Sequence, residues 1–226
     1  MNKKILWIIC VIIVIGTSFY TVLKVKNSFL PIPSLEEEKK INPSVAYTWY
    51  DDETFKRAYP YFSVEINNLR DLEGASDLIL EVEPIDEGSS AAYSLLRACK
   101  VINIFKGDLT EKTIYLYENS YFYHSWNYIC TEGYINMKKG EKYVVFLNRI
   151  KDSDRVEKEE LRNGYILATP RFGKYKFNQE AKLIEYDPNK DEIYYNDVAD
   201  LPVLFNIESY VDTYNSILKD IERKYF

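Results

Sequence analysis

Between Cys99 and Arg149 the chain is built from apolar runs too short for helices, separated by glycine-bearing turns, and this block most constrains the fold. Lys100-Val101-Ile102-Asn103-Ile104-Phe105 leads into Lys106-Gly107-Asp108, and Thr113–Tyr117 resumes the pattern. After an aromatic-rich stretch come Lys138-Lys139-Gly140-Glu141 and the run Tyr143-Val144-Val145-Phe146-Leu147. β-Branched and aromatic side chains suit a pleated, half-buried surface, and Gly107 and Gly140 supply the positive φ that tight turns need. The block therefore predicts the core of a small β-barrel.

Further strands are expected around it. Asp77–Glu83 is stopped by Pro84 and a turn at Asp86–Ser90; Tyr165–Ala168, Tyr175–Phe177 and Leu183–Tyr186 follow later. Tyr93–Phe105 reads as one long bent strand. Its residues Val101, Ile102, Ile104 and Phe105 do not alternate, which implies a bulge or burial on both faces. Trp49, Phe55, Ala58 and Tyr59, with Asp51, Asp52 and Glu53 early, predict a short helix ended by Pro60, and Val64–Leu69 a helical turn. From Ile207 onward, Tyr210, Val211, Tyr214, Ile217, Leu218, Ile221 and Tyr225 recur at three- and four-residue steps. That spacing is an amphipathic helix whose apolar stripe packs on the barrel.

The amino terminus has a different character. Ile5–Leu23 carries no charge, and its 19 residues span about 28 Å as a helix, close to the ~30 Å of a hydrocarbon core. A cleaved signal peptide with Gly16-Thr17-Ser18 as its cleavage site competes with an uncleaved anchor. The apolar continuation through Phe19, Tyr20, Val22 and Leu23 favours the anchor, with Lys3 and Lys4 on the cytoplasmic side. Cys10 follows Ile9 rather than a small residue, which argues against a lipid-attachment site. Residues 27–46 then read as a linker, with Pro31, Pro33 and Pro43 and the solvated charge run Glu36–Lys40. The expected division is an anchor at 1–26, this linker, and an extracytoplasmic domain at 47–226.

The strand into Phe105-Lys106-Gly107-Asp108, Ala75-Ser76-Asp77-Leu78-Ile79, and Lys139-Gly140-Glu141 followed by Lys142–Leu147 resemble the inhibitor-like OB-fold domain. This is the barrel of the tissue inhibitors of metalloproteinases and of many secreted or anchored bacterial proteins. Gly164–Leu167 and Phe172–Tyr175 resemble its closing strands, so the likeness covers roughly residues 69–177. The resemblance implies a mainly β fold: an OB-like barrel of five or six strands, here with a C-terminal amphipathic helix and preceded by one transmembrane helix. The family's inhibitory members chelate a protease zinc through a free amino-terminal cysteine. No cysteine stands near a mature start in this chain, so that mechanism is not carried over.

Composition and motifs exclude more chemistry than they suggest. Lys3, Lys4, Lys24 and Lys26 are the only charges in the first 26 residues, which leaves 25 basic against 35 acidic residues beyond them. A net charge of −10 there argues against nucleic acid as a partner, because phosphate binding needs clustered Lys and Arg. His124 is the only histidine, no metal-ligand cluster or cofactor motif is present, and Ser120 and Ser125 lack a nucleophile-elbow context. Asp187–Glu192 departs from a calcium loop at Glu192, where the turn needs Gly, and reads better as a hairpin turn. Cys99 and Cys130 are expected to form a structural disulfide, with two core thiols as the alternative. Tyr121, Tyr123, His124, Trp126 and Tyr128 form a candidate contact loop for a protein or cell-wall glycan, unless these rings fill the barrel mouth. Together these features predict a single-pass, membrane-anchored extracytoplasmic binding protein, held in the membrane through residues 5–23. An envelope-polymer hydrolase with paired carboxylates and a protease-inhibitor-like module are the alternatives.

Overall fold

The computed structural model describes residues 34–48, 62, 65–91, 93–123, 127–150, 164–186 and 192–226, with 7, 14–18, 20, 21 and 24 near the amino terminus. The chain divides into two compact units, Met1–Pro33 and Ser34–Phe226. In the first, the described residues are helical. Thr17 Oγ1 donates to the Val14 carbonyl (3.1 Å) and Thr21 Oγ1 to the Thr17 carbonyl (2.8 Å), so both hydroxyls are satisfied within their own helix. Most of Ile5–Leu23 lies outside the described residues, and among those described no helix is long and apolar enough to cross a membrane.

The second unit is mainly β. It opens with α1 (Leu35–Ile41) and β1 (Ser44–Thr48), then α2 (Leu69–Gly74), β2 (Leu78–Pro84), β3 (Ser89–Ser90), β4 (Leu95–Lys106) and β5 (Thr113–Glu118). The hairpin β6 (Tyr121–Tyr123) and β7 (Asn127–Thr131) follows, then β8 (Tyr143–Arg149), β9 (Gly164–Leu167), β10 (Lys174–Tyr175), α3 (Tyr195–Val198) and α4 (Glu208–Tyr225). Antiparallel pairing joins β8 to β2, β2 to β4 and β4 to β5; β5 then pairs parallel with β9, and β9 returns antiparallel to β8. The ring closes into a five-stranded barrel, which removes the free sheet edges. A separate small sheet runs β1–β7–β6, with β1 parallel to β7.

Strand parity explains the layers. Leu78, Leu80 and Val82 on β2 and Tyr143, Val145 and Leu147 on β8 point into the barrel with Cys99, Leu116 and Tyr165. Ile79, Val144 and Phe146 point outward and are covered by Tyr214, Ile217, Leu218 and Ile221 of α4. The run Tyr143–Leu147 is apolar without alternation because both of its faces are buried. Burying the α4 stripe removes four large side chains from water, each contributing about 1.5–3 kcal/mol. The long bent strand is present as β4, and its pairing with β2 slips at Ile79/Leu80 and Glu81/Val82, where the bulges lie.

Several local expectations are corrected. Residues 34–46 are not a linker: Ser34 and Glu37 form a reciprocal capping box that starts α1, and Glu36–Lys40 lies within that helix with Glu38 buried. The turn expected at Val64–Leu69 begins later, where Asn68 caps Asp71 N–H and opens α2. Leu183–Tyr186 contributes one bridge, Leu183 to Phe205, rather than a strand. The helix expected at 49–61 and the turn at 187–191 lie outside the described residues.

Cys99 and Cys130 are both free and buried, which corrects the expected disulfide. Cys99 faces the barrel interior, whereas Cys130 belongs to the cluster of Val45, Phe122, Tyr128 and Ile135 built on the small sheet. The two thiols serve different cores.

Candidate functional site

Inside one end of the barrel, strand parity directs charge where apolar groups are expected. Arg97 follows the inward series Leu95-x-Arg97-x-Cys99, and Glu118 follows Ile114-x-Leu116-x-Glu118. Antiparallel pairing of β4 with β5 brings them together, and Arg97 Nε donates to Glu118 Oε2 at 2.5 Å. Glu118 Oε1 also accepts from Tyr134 O–H (2.8 Å) and Met137 N–H (2.7 Å), and Arg97 Nη1 donates to the Asp86 carbonyl (2.8 Å). Both side chains are fully buried. Burial works against the Arg97 charge, but the adjacent Glu118 carboxylate outweighs it and holds the guanidinium protonated.

Glu118 belongs to a set of side chains that hold an irregular strap, Tyr134–Lys138, across the barrel end. Ser120 Oγ donates to the Tyr134 carbonyl (2.6 Å), Tyr128 O–H accepts from Asn136 N–H (3.1 Å), and Tyr143 O–H accepts from Lys138 N–H (2.9 Å). Apart from one isolated bridge between Tyr134 and Val203, the strap belongs to no strand ladder and satisfies its buried backbone in this way. The turn before it is tight: Gly133 has φ +76°, and a Cβ there would lie 2.5 Å from the Leu204 carbonyl.

Beside the strap lies a polar pocket of about 240 Å³, lined by strap residues, β8, β10 and the segment 199–202. Lys174 reaches it from β10, only 4% exposed, with its ammonium donating to the Ile135 carbonyl and lying 4.6 Å from the Tyr134 ring centroid. Burial pushes the Lys174 ammonium down to about 8, against the pull of Glu118 and with the push of Arg97. At the rim, Lys176 pairs with Glu141 (2.8 Å) and Lys138 with Asp200. Burial opposes ionisation of Glu141, yet bonds from Lys176 and Tyr143 hold its carboxyl below the usual range. Asn136 Nδ2 donates to the Ser120 carbonyl (2.9 Å), while its buried Oδ1 meets no donor among the described residues.

The aromatic stretch singled out by its composition is split by the structure. Its stems form a β-hairpin rather than a loop. Tyr128 is wholly buried and holds the strap, which removes it from any contact surface. Tyr123 is exposed and Tyr121 half-buried, with the Tyr121 ring edge-on to Tyr93 at 5.9 Å. His124 and Trp126 lie outside the described residues. Sequence reasoning missed the neighbouring outer face of β4, β5 and β9. There Leu96 pairs with Tyr117, Tyr117 with Ile166, and Ala98 with Tyr115, all half-buried. The signal was present, since Tyr115 and Tyr117 occupy the outward parity of β5.

Among the described residues no three His, Cys, Asp or Glu side chains gather to hold a metal ion. Buried Glu81 bonds Asn103 (2.5 Å), Glu118 is spent on Arg97, and buried Glu132 pairs with Arg171. No protein-family model, curated protein or solved structure matches the chain.

Proposed function

We propose that this chain is a membrane-anchored extracytoplasmic binding protein whose OB-like barrel presents a tyrosine-rich face to an envelope protein or cell-wall glycan. The observation that carries the reading is the outer face of β4–β5–β9, where Leu96, Tyr115, Tyr117 and Ile166 are left half-exposed in a continuous patch of paired strands. Tyr93, Tyr121 and Tyr123 extend the tyrosine supply on the adjoining turn and hairpin. Large amphipathic rings bury contact area at low entropic cost and keep a hydroxyl for hydrogen bonding. The strand order supports the OB-like reading: numbering the barrel strands along the chain, the ring runs 1-2-3-5-4-1 with its parallel pair between the third and fifth. In OB-folds the face of the second and third strands is the usual binding surface. The acidic balance beyond residue 26 supports a ligand other than nucleic acid. The uncharged run Ile5–Leu23 supports the anchor.

Proximity labelling in intact cells with the full-length protein tests this reading. A Tyr115→Ser, Tyr117→Ser double variant, verified as folded, is expected to lose the enriched envelope partner or its retention on isolated cell-wall sacculi. Equal labelling and retention by both proteins sinks the proposal.

A further inference from the structure

The barrel end carries an uncompensated charge that faces an open pocket. Two buried cations, Arg97 and Lys174, share one buried carboxylate, Glu118, which Arg97 engages directly at 2.5 Å. The rim acids do not supply the missing anion, because Glu141 pairs with Lys176 and Asp200 with Lys138. The Tyr134 and Tyr143 rings, 4.6 and 5.6 Å from the Lys174 nitrogen, soften the cost of the ammonium but do not neutralise it. Buried charges in proteins are almost always paired, and this one sits on a solvent-connected cavity.

We propose that the Lys174 pocket binds a small monocarboxylate anion, its carboxylate on the Lys174 ammonium. Lys174 spends one N–H on the Ile135 carbonyl and keeps two. The ligand must therefore bring one negative charge. A zwitterionic amino acid brings no net charge, and a phosphate dianion overshoots by one. At roughly 30 Å³ per water, a volume of about 240 Å³ accommodates a three- or four-carbon acid. The charged and titratable groups around the ammonium are Arg97 on β4, Glu118 on β5, Cys130 on β7, Tyr134 in the strap, Glu141 just before β8, Tyr143 on β8, and Tyr214 of α4, whose hydroxyl donates to the Lys174 carbonyl (3.2 Å). Of these only Glu118 and Glu141 carry negative charge, and both are engaged elsewhere. An arriving carboxylate restores the Lys174 proton, so binding takes up protons near pH 8.

Calorimetric titration of the full-length protein with lactate and propionate tests this, with glycine and inorganic phosphate as comparators. One saturable site for the two monocarboxylates is expected, with glycine and phosphate roughly tenfold weaker or more because their charge does not match the site. Lys174→Met is expected to weaken binding by about tenfold or more. If that variant does not fold, buffers of different ionisation enthalpy carry the test on the unaltered protein, with uptake of about half a proton expected at pH 8 and none at pH 6. Absence of saturable monocarboxylate binding, tighter binding of phosphate, unchanged affinity in a folded Lys174→Met variant, or binding without proton uptake at pH 8 each overturns the proposal. The tyrosine face is not involved, so the two readings fail separately.

Discussion

Lys174 makes the stability of this fold depend on pH in a direction opposite to that of its buried thiols. Its ammonium titrates near 8 in the folded chain against an ordinary 10.5, so between those values the unfolded chain holds a proton that the folded chain lacks. Below pH 8 both states are protonated, and the cost of burying the charge, about 3 kcal/mol in full, is constant. As pH rises through 8 the folded amine deprotonates and the cost is relieved. Relative to Lys174→Met, which carries no proton, the natural protein is expected to gain about 1.4 kcal/mol between pH 7 and pH 9. The comparison must be made at matched pH, because burial pushes the Cys99 and Cys130 thiols far above their usual range. Those two groups erode stability above pH 9 in both proteins, and the effect cancels in the difference. Urea denaturation of both proteins at pH 7, 8 and 9, with reductant and an unchanged m-value, measures it. A stability difference that stays constant across that range would refute the assignment of Lys174 as a buried, uncompensated ammonium.

Glu118→Gln leaves Arg97 and Lys174 without an internal anion and is expected to cost about 3–5 kcal/mol in denaturant unfolding. Replacing Arg97 and Glu118 together with methionine is expected to cost less than Glu118→Gln alone, since no lone charge remains. Gly133→Ala combines a positive φ with overlap on the Leu204 carbonyl, and calorimetry is expected to register a loss of at least about 2 kcal/mol. Gly140→Ala, at φ +78° in open space, is expected to cost only the backbone term, about 1–2 kcal/mol. Thiol labelling followed by peptide mapping is expected to leave Cys99 and Cys130 unmodified in the native protein and modify both after unfolding without reductant; failure to label them then would restore the disulfide.

Periodicity and turn chemistry alone are enough to read the barrel strands, the Gly107 and Gly140 turns and the amphipathic helix over Glu208–Tyr225. Those features depend on interactions between residues a few positions apart, and the sequence carries them directly. The parity of Leu95-x-Arg97-x-Cys99 and Ile114-x-Leu116-x-Glu118 likewise places Arg97 and Glu118 on the inward face of their strands. Their partnership is not legible, because it arises only when β4 and β5 pair in one register. The same holds for Glu36–Lys40, whose charges suggest a spacer until the Ser34–Glu37 capping box fixes them as a helix. Tyr128 and Tyr123 look alike in a run of aromatics, yet one is buried under the strap and the other faces solvent. Cys99 and Cys130 look like a pair, and the fold assigns them to separate cores. Lys174 is the sharpest case. In sequence it is a polar residue in a closing strand; its burial, its missing counter-ion and its pocket come from residues that β5, β8, β10 and the strap bring together from distant parts of the chain. Local chemistry determined the elements, and long-range packing decided which charges were left without partners.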